Sequence, residues 1–226
     1  METETRPTEA IEDYAKAIYA IEDRSPGPVS TNALSERLGV APSTVTAMAK
    51  RLEEHGLVDY TPYRGMNLTE RGRRVALEVV RHHRLLEAFL ATSLDMPWDR
   101  VHDEAEVLEH YISEDLERII AAKLGDPVRD PHGDPIPTAD LAIVTDETVS
   151  LADLDAGVRA RFVRVSDRDA EMLRFLDERG IRPGCELEVT GRDPFDGPIY
   201  VEVGGNGHAL GGRLAAAMRM AVGEES

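Results

Sequence analysis

The sequence predicts a mainly helical protein with a small amount of β-structure at its C-terminal end. Three observations carry that prediction. Apolar residues recur at helical intervals through residues 8–55 and again through 70–124. A stretch rich in Pro, Gly and Asp, GDPVRDPHGDPIPTAD, then reads as a linker or irregular segment. From about residue 148 the texture changes to short β-type runs, ARFVRVS, CELEVTGRD and IYVEVGG, interrupted by one helical run, AEMLRFLDERG. The last region reads as a small β-barrel. A chain of 226 residues has room for one large domain or two to three small ones. The expected division is 1–74, 75–147 and 148–226.

The elements follow in order. EAIEDYAKAIYAIEDR spaces Ile11, Tyr14, Ala15, Ile18 and Ile21 as one face of a helix, which Pro26, Gly27 and Pro28 end. Ser30 and Thr31 cap a second helix, NALSERLG, closed by Gly39. After Val40-Ala41-Pro42, Ser43 reads as the N-cap of a third helix, TVTAMAKRLEEHG, which Gly56 stops. LVDYTPYRGMNLTERG reads as two short strands with a turn at Arg64-Gly65. Further helices are expected over 70–94, 99–112 and 113–124, with a break from Asp95 to Trp98.

Two short helices joined by a tight turn and followed by a β-hairpin make a winged helix-turn-helix. The second of those helices would read DNA. Its first turn carries Pro42, Ser43, Thr44 and Thr46, short polar side chains that allow close approach to phosphates and base edges. Lys50 and Arg51 follow one to two turns later, and Arg64 sits at the hairpin tip. Val45, Met48 and Leu52 would hold this helix against Leu34 and Leu38. An ordinary helical hairpin with Ser/Thr caps fits the helices alone; Gly39, the hairpin and the local charge favour DNA.

That charge needs care, because the chain as a whole carries −17. Phosphate binding needs a basic surface. Within residues 37–74, however, Arg37, Lys50, Arg51, Arg64, Arg71, Arg73 and Arg74 outnumber Glu53, Glu54, Asp59 and Glu70. Only Lys16, Lys50 and Lys123 are lysines, so the acidic bias fits either a halophile's surface or an Arg-preferring genome. The single cysteine, Cys185, excludes an intrachain disulfide and a cysteine metal cluster. No apolar run approaches the ~20 residues needed to span a bilayer. The acidic N-terminus does not read as a secretory signal. Both points favour the cytoplasm and no membrane partner.

A second constellation follows the hairpin. His83 and Glu87 stand four apart in RHHRLLEAFL and share a helix face. In VHDEAEVLEHYISED, His102, Glu106, Glu109 and His110 are spaced to lie on one face of the next helix. Imidazoles and carboxylates on facing helices can form the N/O shell of a first-row divalent cation. Without thiolate the set leans to Mn²⁺ or Fe²⁺, with other divalent transition metals also able to bind. A solvated acidic helix with incidental histidines fits the same spacing. His132 and His208 are isolated and read as structural or surface residues.

Six stretches in one order carry a resemblance: EDYAKAIYAIED, RLGVAPSTVTAMAKRLEEHGLV, RGMNLTERG, RHHRLLEAFL, VHDEAEVLEHYISEDLE and PHGDPIP. Residues 8–137 resemble the iron-dependent repressor family, and 150–222 resemble the SH3-like, FeoA-like domain of its longer members, best over LDERGIRPGCELEV. The resemblance implies a homodimer formed by the helical domain, a double-stranded DNA operator with two-fold symmetry, and metal-activated repression of metal-uptake genes. By position, Asp13 falls on the first-helix metal ligand, which is methionine in iron sensors and aspartate in manganese sensors. Glu106 falls where iron sensors have cysteine, and Glu109 and His110 match ligands shared by both types. His83, Glu87 and His102 match an ancillary site, to be completed by a third-domain carboxylate, with Asp169 and Glu171 as candidates. Lys16 departs from the manganese type, which has a second carboxylate one turn after Asp13, and so speaks against a binuclear site. The other readings are a metal-independent winged-helix regulator and a metalloenzyme. Against the latter, the sequence has no H-E-x-x-H motif, Gly-rich phosphate loop or recognisable nucleophile context.

Overall fold

The structure is a computed structural model that describes residues 8–25, 27–144, 146–195 and 197–223. Residues 1–7 and Pro26, used in the sequence reading, lie outside the described residues. The chain divides into two compact units. The first comprises Met1–His82, Glu109–Ile112 and Pro137–Ala142, and the second His83–Leu108, Ser113–Ile136 and Ile143–Ser226.

The first unit holds α1 (Glu9–Glu22), α2 (Thr31–Leu38), α3 (Pro42–Glu54), the hairpin β1 (Val58–Thr61) and β2 (Gly65–Leu68), and the start of α4 (Glu70–Ser93). Ile11, Ile18, Leu34, Val45 and Leu52 are buried together, with Met48 and Leu38 packed at the edge. Each such buried aliphatic side chain contributes roughly 1.5–3 kcal/mol. Ala15 and Tyr19, elsewhere on α1, pack with Ala76, Leu77 and Val80 of α4. The Ser30 hydroxyl accepts the Ala33 N–H at 3.1 Å and starts α2, while Gly39, at φ 66°, ends it.

The start of α3 differs from expectation. Its N-cap is Ala41, not Ser43, and Pro42 occupies the first helical position. Proline's fixed φ suits that position, and its missing N–H removes a donor that would have no partner in the helix. Ser43 therefore lies within the first turn. In the hairpin, Gly65 has φ 107°, and a Cβ there would lie 2.6 Å from the Val29 carbonyl oxygen. Val29 and Met66 exchange backbone hydrogen bonds of 2.8 and 3.0 Å at this point, which ties the wing to the chain entering α2.

The second unit holds the remainder of α4, then α5 (Val101–Leu108), α6 (Glu114–Lys123) and the C-terminal region. The helix expected over 99–112 stops at Leu108, and Glu109, His110 and Tyr111 form a turn. Ser113 then caps α6 by accepting the Leu116 N–H at 3.2 Å. The C-terminal region builds one antiparallel sheet from β3 (Val149–Ser150), β4 (Arg159–Arg164), β5 (Glu186–Arg192), β6 (Ile199–Val203), β7 (Asn206–Leu210) and β8 (Arg219–Val222). Two helices accompany it, α7 (Ala170–Asp177) and α8 (Gly212–Ala217).

The strand order is β3-β8-β4-β5-β6-β7, so the expected barrel is not closed: β3 and β7 remain edges. With two residues, β3 pairs only with β8. Phe162, Leu173, Leu176, Val189, Val201 and Leu210 form the core of this region. Trp98, from the break after α4, is 1% exposed within the same cluster. No helix among the described residues is long and apolar enough to cross a membrane.

Candidate metal centres and nucleic-acid interface

The exposed side of α3 is set by which of its residues turn inward. With Val45, Ala49 and Leu52 turned inward, α3 leaves Pro42, Ser43, Thr44, Lys50 and Arg51 exposed, and Arg64 is exposed on the wing. Thr46 is half-buried, and its hydroxyl donates to the Pro42 carbonyl at 3.0 Å. Two of the arginines counted as local positive charge have structural partners. Arg71 donates to the His55 carbonyl at 2.7 Å, and Arg73 stacks over the Tyr19 ring. Sequence reasoning passed over Tyr63, which is fully exposed beside Arg64 with φ 65°. Its signal was an aromatic residue inside a Pro-Tyr-Arg-Gly turn.

Asp13, Glu109 and His110 meet in the first unit, each with a donor atom within 4.8 Å of the others'. His110 Nε2 lies 3.0 Å from Asp13 Oδ1 and 3.5 Å from Glu109 Oε1. Glu109 is completely buried, and the Lys16 ammonium donates to its two oxygens at 2.9 and 2.7 Å. Because α5 ends at Leu108, Glu109 and His110 approach α1 from a turn and not from the helix face expected. Two further residues join them unforeseen. Glu12, 4% exposed, lies 2.6 Å from His110 Nδ1, and His82 Nδ1 lies 3.2 Å from the Glu109 carbonyl.

A second set converges in the other unit on Glu87 Oε1. His83 Nε2 is 3.1 Å from it, and His102 Nδ1 and His132 Nδ1 are each 3.6 Å away. Asp167 Oδ2 lies 3.1 Å from His102 Nδ1. One group of donors within 4.8 Å of one another is His83, Glu87, His102 and Asp167, and another, entirely buried, is Glu87, Asp130 and His132. Glu106, expected beside Asp13, Glu109 and His110, belongs to this unit, 3.9 Å from both His83 Nδ1 and His102 Nε2.

Of the third-domain candidates, neither Asp169 nor Glu171 joins the set. Asp169 caps α7, accepting the Glu171 and Met172 N–H groups at 3.2 Å, and pairs with Arg213 at 2.6 Å. Glu171 is exposed at the start of α7. Asp167, two residues before the cap, is the carboxylate that arrives. His132, read as structural or surface, is fully buried, and its Nε2 donates to the Trp98 carbonyl at 2.7 Å.

The electrostatics of this second set fit a cation. Burial alone would push the Asp167 carboxyl up, but hydrogen bonding to His102 outweighs it and brings the group down to about 2. Burial likewise opposes a charged His102, yet Asp167 and Glu87 raise it to about 10. Burial also opposes a charged Glu87, yet the histidines around it hold its carboxyl well below the usual range. Glu87 Oε2 and His132 Nδ1 are buried without a hydrogen-bond partner, and a ligated divalent ion would satisfy such atoms.

Comparison with known proteins agrees with this chemistry. Residues 7–66 match the model of the iron dependent repressor N-terminal DNA-binding domain. Residues 69–138 match the iron dependent repressor metal-binding and dimerisation domain, and 149–221 match the FeoA domain. The diphtheria toxin repressor of Corynebacterium glutamicum is 32% identical over 219 residues, covering 92% of this chain and 94% of that protein. The chain belongs to the iron-dependent repressor family.

Among other members of the family, the iron-dependent repressor IdeR of Mycobacterium tuberculosis is 31% identical over 221 residues, 92% of this chain and 95% of that protein. A solved manganese-dependent transcriptional repressor in complex with manganese superposes with a TM-score of 0.87 at 43% identity, covering 94% of this chain and 99% of that one. The manganese regulator SloR superposes with a TM-score of 0.75 at 28% identity, covering 97% of this chain and all of that one. The iron-dependent repressors are metal-dependent, DNA-binding transcriptional regulators with a dimerisation domain, not enzymes, and this chain is one of them.

Proposed function

We propose that the chain represses metal-uptake genes in the cytoplasm when Mn²⁺ or Fe²⁺ is plentiful, binding a two-fold operator as a homodimer. The observation that carries this reading is the meeting of Asp13, on α1, with Glu109 and His110 inside the unit that also contains α3. Asp13, Glu109 and His110 would hold one cation. His83, Glu87, His102 and Asp167 would hold another, with Asp130 and His132 adjoining through Glu87 and Glu106 at the exposed edge. A bound divalent ion supplies positive charge shared by donors on separate segments. Asp13 would thereby fix α1, against which α2 and α3 pack, to the turn at Glu109 and His110. Ordering by metal and affinity for DNA are then reciprocal, a coupling of about 1–3 kcal/mol.

The oxygen of Asp13, without sulfur in either set, suits Mn²⁺ at least as well as Fe²⁺. Pro42, Ser43 and Thr44 would meet phosphate and base edges, with Thr46 behind them, and Lys50, Arg51 and Arg64 the backbone. Residues 1–74 serve as the DNA-binding domain and 75–147 as the helical dimerisation and metal domain. Residues 148–226 form an SH3-like domain whose sheet is open. Val107, Leu116 and Ile119 are exposed in the single chain, as a contact between copies requires.

Fluorescence anisotropy on operator fragments, selected from a random DNA library in the presence of Mn²⁺, tests the reading across Mn²⁺, anaerobic Fe²⁺, Zn²⁺ and Co²⁺. Tight binding only with metal, by a dimer, is the expected result. Equal binding after chelation would favour the metal-independent regulator.

A further inference from the structure

We propose that Glu12 is a positioning residue that makes Nε2, and not Nδ1, the metal-ligating nitrogen of His110. The proposal rests on the reading of Asp13, Glu109 and His110 as a metal site. Neighbouring residues on a helix project about 100° apart. Glu12 and Asp13 use that difference to take the two sides of one imidazole. The Glu12 side chain is 5% exposed and lies 2.6 Å from His110 Nδ1, while the Asp13 side chain is 44% exposed and lies 3.0 Å from Nε2. Glu109 Oε1 is also on the Nε2 side, at 3.5 Å. The ring therefore stands between Glu12 and the candidate ligands, and Glu12 is not among the donors grouped with them.

The chemistry follows from the proton inventory of the ring. A neutral imidazole carries one N–H, and only the other nitrogen offers a lone pair to a metal. With the proton on Nε2, His110 would present a hydrogen to the place where Asp13 and Glu109 converge. An ionised carboxylate only accepts, so Glu12 stabilises the tautomer with the proton on Nδ1. It fixes the ring plane at the same time, and it raises the basicity of Nε2. Partners of this kind on metal-bound histidines change affinity by roughly 10–100-fold when removed. Glu12 thus acts on the cation through His110, although it follows the acidic pattern of a solvated helix start in the sequence.

Two measurements test this. The first is ¹⁵N–¹H correlation of the histidine rings in the full-length protein loaded with Zn²⁺, which is diamagnetic. Wild-type His110 should ligate through Nε2 with a proton on Nδ1; ligation through Nδ1 overturns the proposal without any variant. The second is calorimetric titration with Mn²⁺ of wild type, Glu12→Ala and Glu12→Gln, with Asp13→Ala identifying which class of sites contains His110. Glu12→Ala should weaken that class by roughly 10–100-fold and leave the other class unchanged. Glu12→Gln keeps an accepting oxygen without the charge, so it should retain the Nδ1 proton and lose less affinity. A folded Glu12→Ala protein with wild-type Mn²⁺ affinity overturns the proposal. So does a Glu12→Gln protein whose ring has reversed. If Asp13→Ala changes neither class, the metal-site reading itself fails; if Asp13→Ala removes a class that Glu12→Ala leaves intact, only the role of Glu12 fails.

Discussion

The Lys16 ammonium forms a two-pronged ion pair with Glu109, at 2.9 and 2.7 Å, and the Glu109 side chain is fully buried while Lys16 is 18% exposed. A cation belonging to the chain thus already neutralises one of the carboxylates that would hold a metal. Lys16→Met should deprive the buried Glu109 of its two-pronged ion pair, lowering the stability of the metal-free protein by about 1.5–3 kcal/mol. Added Mn²⁺ should restore more stability in the variant than in wild type, because no ammonium competes for Glu109. Thermal melts with and without Mn²⁺ check this, and equal metal-induced shifts in the two proteins would count against it.

Metal choice should follow donor hardness. Asp13→Met replaces oxygen by sulfur in the first donor set and Glu106→Cys does so at the edge of the second, so the response of the double variant should move away from Mn²⁺. Operator binding titrated with Mn²⁺ and with anaerobic Fe²⁺ reads the ranking directly. An unchanged ranking would reject softness as the basis of discrimination.

The two aspartates before and at the start of α7 should behave differently. Asp167→Ala removes a carboxylate from the His102 side of the second set and should weaken one class of metal sites. Asp169→Ala should leave metal binding alone and cost about 0.5–2 kcal/mol of stability through the lost cap. Paired calorimetry and denaturant titration distinguish them, and metal loss on changing Asp169 alone would reverse the assignment.

On the DNA side, the exposed cations should show themselves in salt dependence. Lys50→Ala or Arg64→Ala should each lower the slope of log K against log salt by about 1. Arg71→Ala should alter the slope less, since its guanidinium already serves the His55 carbonyl. Affinities measured between low and moderate salt decide the point. A larger change for Arg71 than for Lys50 would place the phosphate path elsewhere.

The helix-turn-helix was legible because local signals agreed with packing. Ser30 and Gly39 behave as caps, and the inward stripe of α3 is the one its periodicity gives, shifted slightly to include Ala49. The metal ligands were harder to place. A regular helix through His102, Glu106, Glu109 and His110 satisfies the spacing, yet the chain leaves the helix after Leu108, and Glu109 and His110 pair with α1 residues almost a hundred positions away. Non-local attraction of that kind has no periodic signature. Glu12 was hidden in an acidic first turn, where charge usually means solvent. His132 was hidden because a lone histidine in an irregular segment has no spacing to judge. The sheet stays open between β3 and β7, a long-range pairing on which alternation within each strand says nothing.

The absence of sulfur from both donor sets also bears on oxidative stress. Thiolate ligands climb irreversibly toward sulfinic and sulfonic acid under peroxide, and a sensor built on them loses its metal along with its ligand. Every donor gathered here is a carboxylate or an imidazole. Cys185 stands in the C-terminal region, half-buried, and burial pushes its thiol up, away from the reactive thiolate. Peroxide therefore finds no thiolate to oxidise in either donor set, so with Mn²⁺ bound the ligands should stay chemically intact while the oxidant lasts.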